Sequence, residues 1–269
     1  MRAPLRWRLR ALLPAGKCVA SLRRTVISKP NLPRPAARAN RRLLYPPALL
    51  LGLLLGLAPA LLAQSNYLVP GHLDAVALLP PQPVAGSEEE AADLNEVRAV
   101  FKGRTPAEEA RASKDSSLSL FLFAPSVGPM LQPGKLPKTE ALFKRVNQDI
   151  GKPIDAAKDH FQRKRPYQID PQLALGNGEP SFGYPSGHST RGTVEALLMA
   201  ELFPDKREAV LEIGRNIGWD RVLIGKHFPT DIYAGRVLGQ AIVRELLASP
   251  AFRRDLAEAK AEVEAARRQ

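Results

Sequence analysis

Cysteine is nearly missing from this chain: one residue, Cys18, stands in 269. A single thiol far upstream supports neither a disulfide framework nor a thiolate metal site, so zinc-finger and cysteine-nucleophile chemistry are set aside. Acidic residues are missing altogether from positions 1–63, which hold 12 of the 39 Lys and Arg. The remaining 206 residues then carry 27 basic and 27 acidic side chains. The net charge of +12 and the pI near 10.1 therefore belong to the leader. The body has no global basic field, which argues against nucleic acid as its main partner. A long apolar run is lacking too: the longest, residues 48–62, falls short of the roughly 20 residues a membrane span needs.

That run reads ALLLGLLLGLAPALL, with Arg41 and Arg42 upstream and polar Gln64, Ser65 and Asn66 after it. A basic region, a short apolar core and small residues at its end form a secretory signal. Cleavage is expected after Ala63 or Ala60, leaving a mature protein that begins near Gln64, has no stable span, and lies in a bacterial periplasm or outside the cell. The basic region, about forty residues, is long for such a signal. A true start near Leu43 and a twin-arginine signal at Arg41 and Arg42 both stay open.

The body is large enough for one domain with a substantial core. Residues 64–86 are proline-spaced and are expected to form an extended arm lying on that domain, which runs over 87–250. Ser87 followed by Glu88, Glu89 and Glu90 reads as a capped helix start, continued by Leu94, Val97 and Phe101. Thr105-Pro106 opens another helix. Residues 117–124 are apolar and fit a strand or a buried helix equally well. Residues 138–163 have helical spacing, with Pro153 expected to divide two helices. Residues 165–184 are expected to be a long loop, the kind that is usually functional. Helices follow over 190–202, 206–224 and 230–248, and residues 251–269 form a charged, solvated helical tail. The expected fold class is all-α.

Of four histidines, His72 and His160 have no chemically suggestive company. Tyr184-Pro185-Ser186-Gly187-His188-Ser189-Thr190 lies where the long loop enters a helix, capped by Ser189 or Thr190. Small residues there leave backbone N–H groups open at a positive helix end, an anion site. In Arg221…His227-Phe228-Pro229-Thr230-Asp231, Pro229 suits a first turn, so Asp231 can reach back to one imidazole nitrogen and leave the other free. Lys158 and Arg165 are seven residues apart, two helical turns, and are expected on one helix face; Arg163, Lys164 and Lys206 read as ordinary basic helix ends.

Taken in order, Lys158…Arg165-Pro166, then Pro185-Ser186-Gly187-His188, then Arg221…His227…Asp231 closely resemble the three-part signature of the type 2 phosphatidic acid phosphatase superfamily. Upstream, Leu78-Leu79-Pro80-Pro81-Gln82-Pro83 and Lys102-Gly103-Arg104-Thr105-Pro106, together with Gly183-Tyr184, resemble the bacterial class A nonspecific acid phosphatases. The likeness covers most of residues 78–248. It implies a single helical domain that hydrolyses a broad range of phosphate monoesters, with small phosphomonoesters and inorganic phosphate as partners and a homo-oligomer as one possible state. It implies that Lys158, Arg165, Ser186, Gly187 and Arg221 hold the phosphate oxygens. His227 attacks phosphorus, Asp231 orients it, and His188 protonates the departing alkoxide. Cationic side chains do the neutralising, so no metal or cofactor is expected. With one imidazole neutral and one protonated, a mildly acidic optimum follows.

The same constellation resembles the vanadium haloperoxidases, whose chains are generally much larger; a non-catalytic phosphate-binding protein is the reading from another class. One departure from the signature stands out: Asp220 precedes Arg221, where the resembled family usually has Ser. Its carboxylate pairs with Arg221 and competes with phosphate, orients Arg221, or turns to solvent; orientation is the favoured of the three.

Overall fold

The computed structural model describes residues 66–268. The expected leader, signal and cleavage site (1–63) lie outside the described residues. Among the described residues eleven α-helices run in chain order: α1 (Ala75–Leu78), α2 (Glu88–Gly103), α3 (Pro106–Lys114), α4 (Ala124–Val127), α5 (Pro137–Asp149), α6 (Gly151–Phe161), α7 (Pro166–Ile169), α8 (Gly187–Leu202), α9 (Arg207–Leu223), α10 (Pro229–Ala248) and α11 (Pro250–Ala266). No strand occurs among the described residues, and none of their helices is long and apolar enough to cross a membrane. The fold is all-α.

Local chemistry sets most helix starts. Ser87 Oγ accepts from Glu90 N at 3.2 Å, and Thr105 forms a reciprocal capping box with Glu108 ahead of Pro106. The apolar stretch at 117–124 is neither a strand nor a long helix. Ser119 caps a 3-10 turn, Leu120–Phe123, which runs into α4. The division expected at Pro153 falls earlier, at Ile150–Gly151. Proline lacks an N–H and is tolerated in a first turn, so Pro153 sits just inside α6 and does not end α5. The long loop at 165–184 contains α7 and a short 3-10 turn, Pro171–Leu173.

The centre of the molecule is α8, which packs against both α9 and α10. Val194, Leu198 and Met199 of α8, Ile217 of α9 and Leu238 and Ile242 of α10 are buried together. The approach of α10 to α8 is close enough that a Cβ on Gly235 would stand 2.7 Å from Ser186 O. The expected extended arm is irregular except for α1, capped by Asp74, and Tyr67, Ala75 and Leu79 join the core. Residues 251–269 do form a helix, α11, yet not a solvated one. Phe252, Leu256, Ala259 and Val263 make a buried stripe against α5. Glu262 of α11 also caps α5, accepting from Lys138 N and Thr139 N at 2.9 Å each, where α5 has no cap of its own.

Candidate active site

The N-terminus of α8, the end of α6, the end of α9 and the start of α10 meet at one place. Ser186, not Ser189 or Thr190, is the N-cap of α8: its Oγ accepts from Ser189 N at 3.3 Å. Ser186 N donates to Asp231 O at 3.0 Å, tying this helix start to the first turn of α10. Gly187 and His188 are the first two residues of α8. Beyond α9, Gly225 takes φ +67°, and a Cβ there would lie 2.4 Å from Leu173 O. That turn folds the chain back so that Lys226 N and His227 N both donate to Arg221 O, at 2.8 and 3.2 Å.

His227 is 1% exposed and bonded at both ring nitrogens. Nδ1 lies 3.1 Å from Asp231 Oδ2 and Nε2 lies 3.1 Å from Arg165 Nη1. A guanidinium only donates, so Nε2 carries the lone pair and Nδ1 the proton. Burial pushes the His227 pKa well below the usual imidazole range, with Arg165, Lys158, Arg221 and His188 adding to the effect. Burial also pushes the Asp231 carboxyl up, while Arg163 and the Phe228 N–H pull it back. His188 points one nitrogen, Nε2, at Ser116 O, 3.2 Å away. A carbonyl only accepts, so this nitrogen bears the proton and Nδ1 is left open. Burial, helped by Arg221, holds His188 down to about 4.

Lys158, Arg165 and Arg221 are all buried. Lys158 and Arg165 do not share a helix face. The left-handed Gln162 (φ 50°) ends α6, and Arg165 stands outside it as the N-cap of α7. Their side chains converge nonetheless: Lys158 Nζ and Arg165 Nη2 both donate to Phe182 O, the second at 3.3 Å. Burial, with Arg165 nearby, lowers the Lys158 pKa to about 8. Arg165 also donates from Nε to Ser181 O at 2.9 Å and from Nη1 to Lys226 O at 3.0 Å. Arg221 Nε is buried with no hydrogen-bond partner, a donor left for an acceptor that the protein itself does not supply.

Asp220 does not pair with Arg221. Its buried carboxylate takes a two-pronged contact from Arg111 of α3, Nη2 to Oδ1 at 2.7 Å and Nε to Oδ2 at 3.0 Å. Consecutive helix residues point about 100° apart, so neighbours in sequence do not face each other. The partner of Arg221 is Glu179, whose Oε1 accepts from Arg221 Nη2 while its Oε2 lies 3.3 Å from Arg165 Nη2. Nothing in the motif spacing points to Glu179. Arg163, expected as an ordinary basic helix end, is 3% exposed. It joins Asp93 Oδ2 at 2.8 Å to Asp231 Oδ1 at 2.6 Å and lies over the Phe228 ring. Lys164 and Lys206 are exposed, as helix ends should be.

The fold and the site together define a helical protein in which a lysine, two arginines and two histidines converge beside a helix N-terminus. Residues 149–255 match the family described as the PAP2 superfamily. An acid phosphatase of Zymomonas mobilis is 32% identical over 205 residues, which covers 73% of this chain and 78% of that protein. Non-specific acid phosphatases of Providencia stuartii and Salmonella typhimurium are each 30% identical, over 207 and 202 residues, covering 71% and 69% of this chain and 81% and 78% of theirs. The chain belongs to the PAP2 superfamily.

Proposed function

We propose that this protein is an exported acid phosphatase that hydrolyses a broad range of phosphate monoesters through a phosphohistidine. The observation that carries the reading is His227. Its Nδ1 proton is committed to Asp231, and its Nε2 lone pair lies beside Arg165 with Lys158 and Arg221 close by. Superfamily membership and the acid phosphatases similar to most of the chain support phosphatase chemistry.

The phosphoryl oxygens are held by Lys158, Arg165 and Arg221, with the Gly187 N–H and the Ser186 hydroxyl at the positive end of α8. The arginine forks grip paired oxygens; the lysine acts as a point charge. His227 Nε2 forms the N–P bond as the ester P–O bond breaks, and the leaving oxygen takes a proton from His188 Nδ1. Water then attacks phosphorus as it passes a proton to His188 Nδ1, the N–P bond breaks, and phosphate departs. Neutral His227 suits a nucleophile. His188, held to about 4 in the free protein, gains affinity for its proton when a phosphate dianion binds beside it. Turnover should therefore rise toward acid pH, as the general acid fills, and fall as pH rises. Charge neutralisation comes from the side chains, so the reading requires no metal. Export rests on the signal read in residues 1–63.

The test is release of p-nitrophenol from p-nitrophenyl phosphate by the purified protein in EDTA, followed by a quench that traps acid-labile phosphate on the chain. Turnover with a phosphorylated wild-type chain and an unphosphorylated His227→Ala variant is expected. Turnover that survives His227→Ala would overturn the nucleophile.

A further inference from the structure

The two arginines proposed to hold phosphate are not waiting empty. They are joined by one carboxylate, Glu179, which places one oxygen on each guanidinium. Two oxygens on a planar head, one per arginine, are what a bound phosphoryl group offers in the same position. Lys158, Lys226, His188 and His227 also lie within electrostatic reach of this carboxylate.

The segment that carries Glu179 differs from the rest of the site. The site cations are buried in helices or at helix ends, whereas Ala174, Gly176, Asn177, Gly178, Pro180 and Ser181 are exposed. Gly176 has φ +65°, and no helix holds residues 174–186. The strap is pinned downstream of Glu179, where Ser181 and Phe182 accept from Arg165 and Lys158, but Glu179 itself has few contacts besides the arginines. Its N–H donates to Tyr167 Oη at 2.9 Å, and its neighbour Asn177 offers a carbonyl to Lys226 Nζ at 2.7 Å. A side chain on such a strap can leave without disturbing a helix, unlike Asp231 or Asp93, which are buried in the helical body.

We infer that Glu179 is an internal competitor for the phosphate site: its carboxylate bridges Arg165 and Arg221 in the free protein, and an incoming phosphate must displace it. The competitor is thus supplied from the strap, and not by Asp220. Its consequence for selection is direct. A dianionic phosphoryl group with three free oxygens outbids the bridge, whereas a monoanionic carboxylate ligand offers no more than Glu179 already does. The free carboxylate then stands at the edge of the site, where it repels anionic leaving groups. Arg165 and Arg221 hold the Glu179 carboxyl below the usual carboxylate range against the opposing effect of burial, so the bridge persists under mildly acidic conditions. This inference rests on the reading of Lys158, Arg165 and Arg221 as a phosphate site.

The experiment is calorimetric titration of inorganic phosphate into wild-type protein, Glu179→Gln and Glu179→Asp at one pH, with p-nitrophenyl phosphate turnover measured alongside. Glu179→Gln keeps the shape and removes the charge, so phosphate should bind roughly tenfold more tightly, equivalent to about 1.4 kcal/mol. KM should fall with it while kcat does not rise. Glu179→Asp keeps the charge but is one methylene too short to span both guanidinia, and should tighten binding by a smaller factor. If Glu179→Gln fails to fold, as read by circular dichroism, Glu179→Asp carries the test in the same direction. Unchanged or weaker phosphate binding in the folded variants overturns the inference. Wild-type protein that binds phosphate but turns nothing over sinks the phosphatase reading, and tighter binding in Glu179→Gln would still support the internal competitor.

Discussion

Replacing Glu195 by glutamine should remove part of the pH dependence of stability. Glu195 lies in α8 and is 1% exposed, and burial raises its carboxyl above the usual range while Asn147 and Arg191 pull it back. Asn147 Nδ2 donates to Glu195 Oε1 at 2.8 Å, yet Glu195 Oε2 and Asn147 Oδ1 are both buried without a partner. An ionised Glu195 would bury a charge with one oxygen unpartnered, which favours the neutral acid. The folded pKa lies above the unfolded one, so the stability this group contributes is fully present below about pH 4.3 and is lost as pH rises through the folded value. Each unit of upward shift is worth about 1.4 kcal/mol. Glutamine keeps the acceptor for Asn147 Nδ2 and is neutral at every pH. The variant should match wild type near pH 4 and exceed it at pH 8, in unfolding free energy and in Tm. Urea denaturation of both proteins at the two pH values and matched ionic strength measures this. A variant whose difference from wild type is the same at both pH values would refute the neutral-acid assignment.

His188→Ala should slow turnover of alkyl phosphates by about 10²–10⁴-fold and that of p-nitrophenyl phosphate far less, because an acidic phenol hardly needs protonation; equal losses on both would contradict the general acid. Asp220→Ser should lower Tm by a few degrees through loss of the Arg111 contact, yet change the phosphate dissociation constant by less than about twofold, since Asp220 touches Arg111 and not Arg221. A several-fold change in phosphate binding, with folding intact, would restore a role for Asp220 at Arg221. Gly235→Ala should cost about 1–3 kcal/mol and weaken phosphate binding, because the new Cβ would stand 2.7 Å from Ser186 O and part α10 from the start of α8. Wild-type melting in that variant would show that the two helices have slack.

Burying the Asp231 and Asp93 carboxylates behind the site costs stability. Arg163 meets this cost from beneath. It links Asp231 to Asp93 of α2 and lies on Phe228, so the carboxylate that holds His227 is tied through Arg163 to a helix far upstream in the chain. Truncating Arg163 would leave two buried carboxylates unpaired, which is why its burial matters more than its position at a helix end.

By itself the sequence determined what depends on neighbours within a turn or two. Ser87, Thr105-Pro106 and Pro229 mark helix starts because a cap or a missing N–H acts locally, and the structure has helices at each. The spacing of His227 and Asp231 determined their contact, since four residues across the first turn bring a carboxylate back to the ring. The all-α class followed from the same short-range periodicity. Tertiary structure alone decided which distant groups share a charge. Arg163 with Asp93, Arg111 with Asp220 and Arg221 with Glu179 lie 70, 109 and 42 residues apart, and no local pattern encodes such pairs. The convergence of Lys158 and Arg165 came from a left-handed residue and a new helix cap, not from the two-turn spacing that suggested it. The stripe on α11 was hidden by its charges, because a helix shows which of its faces is buried only when another helix covers it. Side-chain periodicity is a property of one segment; ion pairing and burial are properties of the space between segments, and that space exists only once the chain has folded.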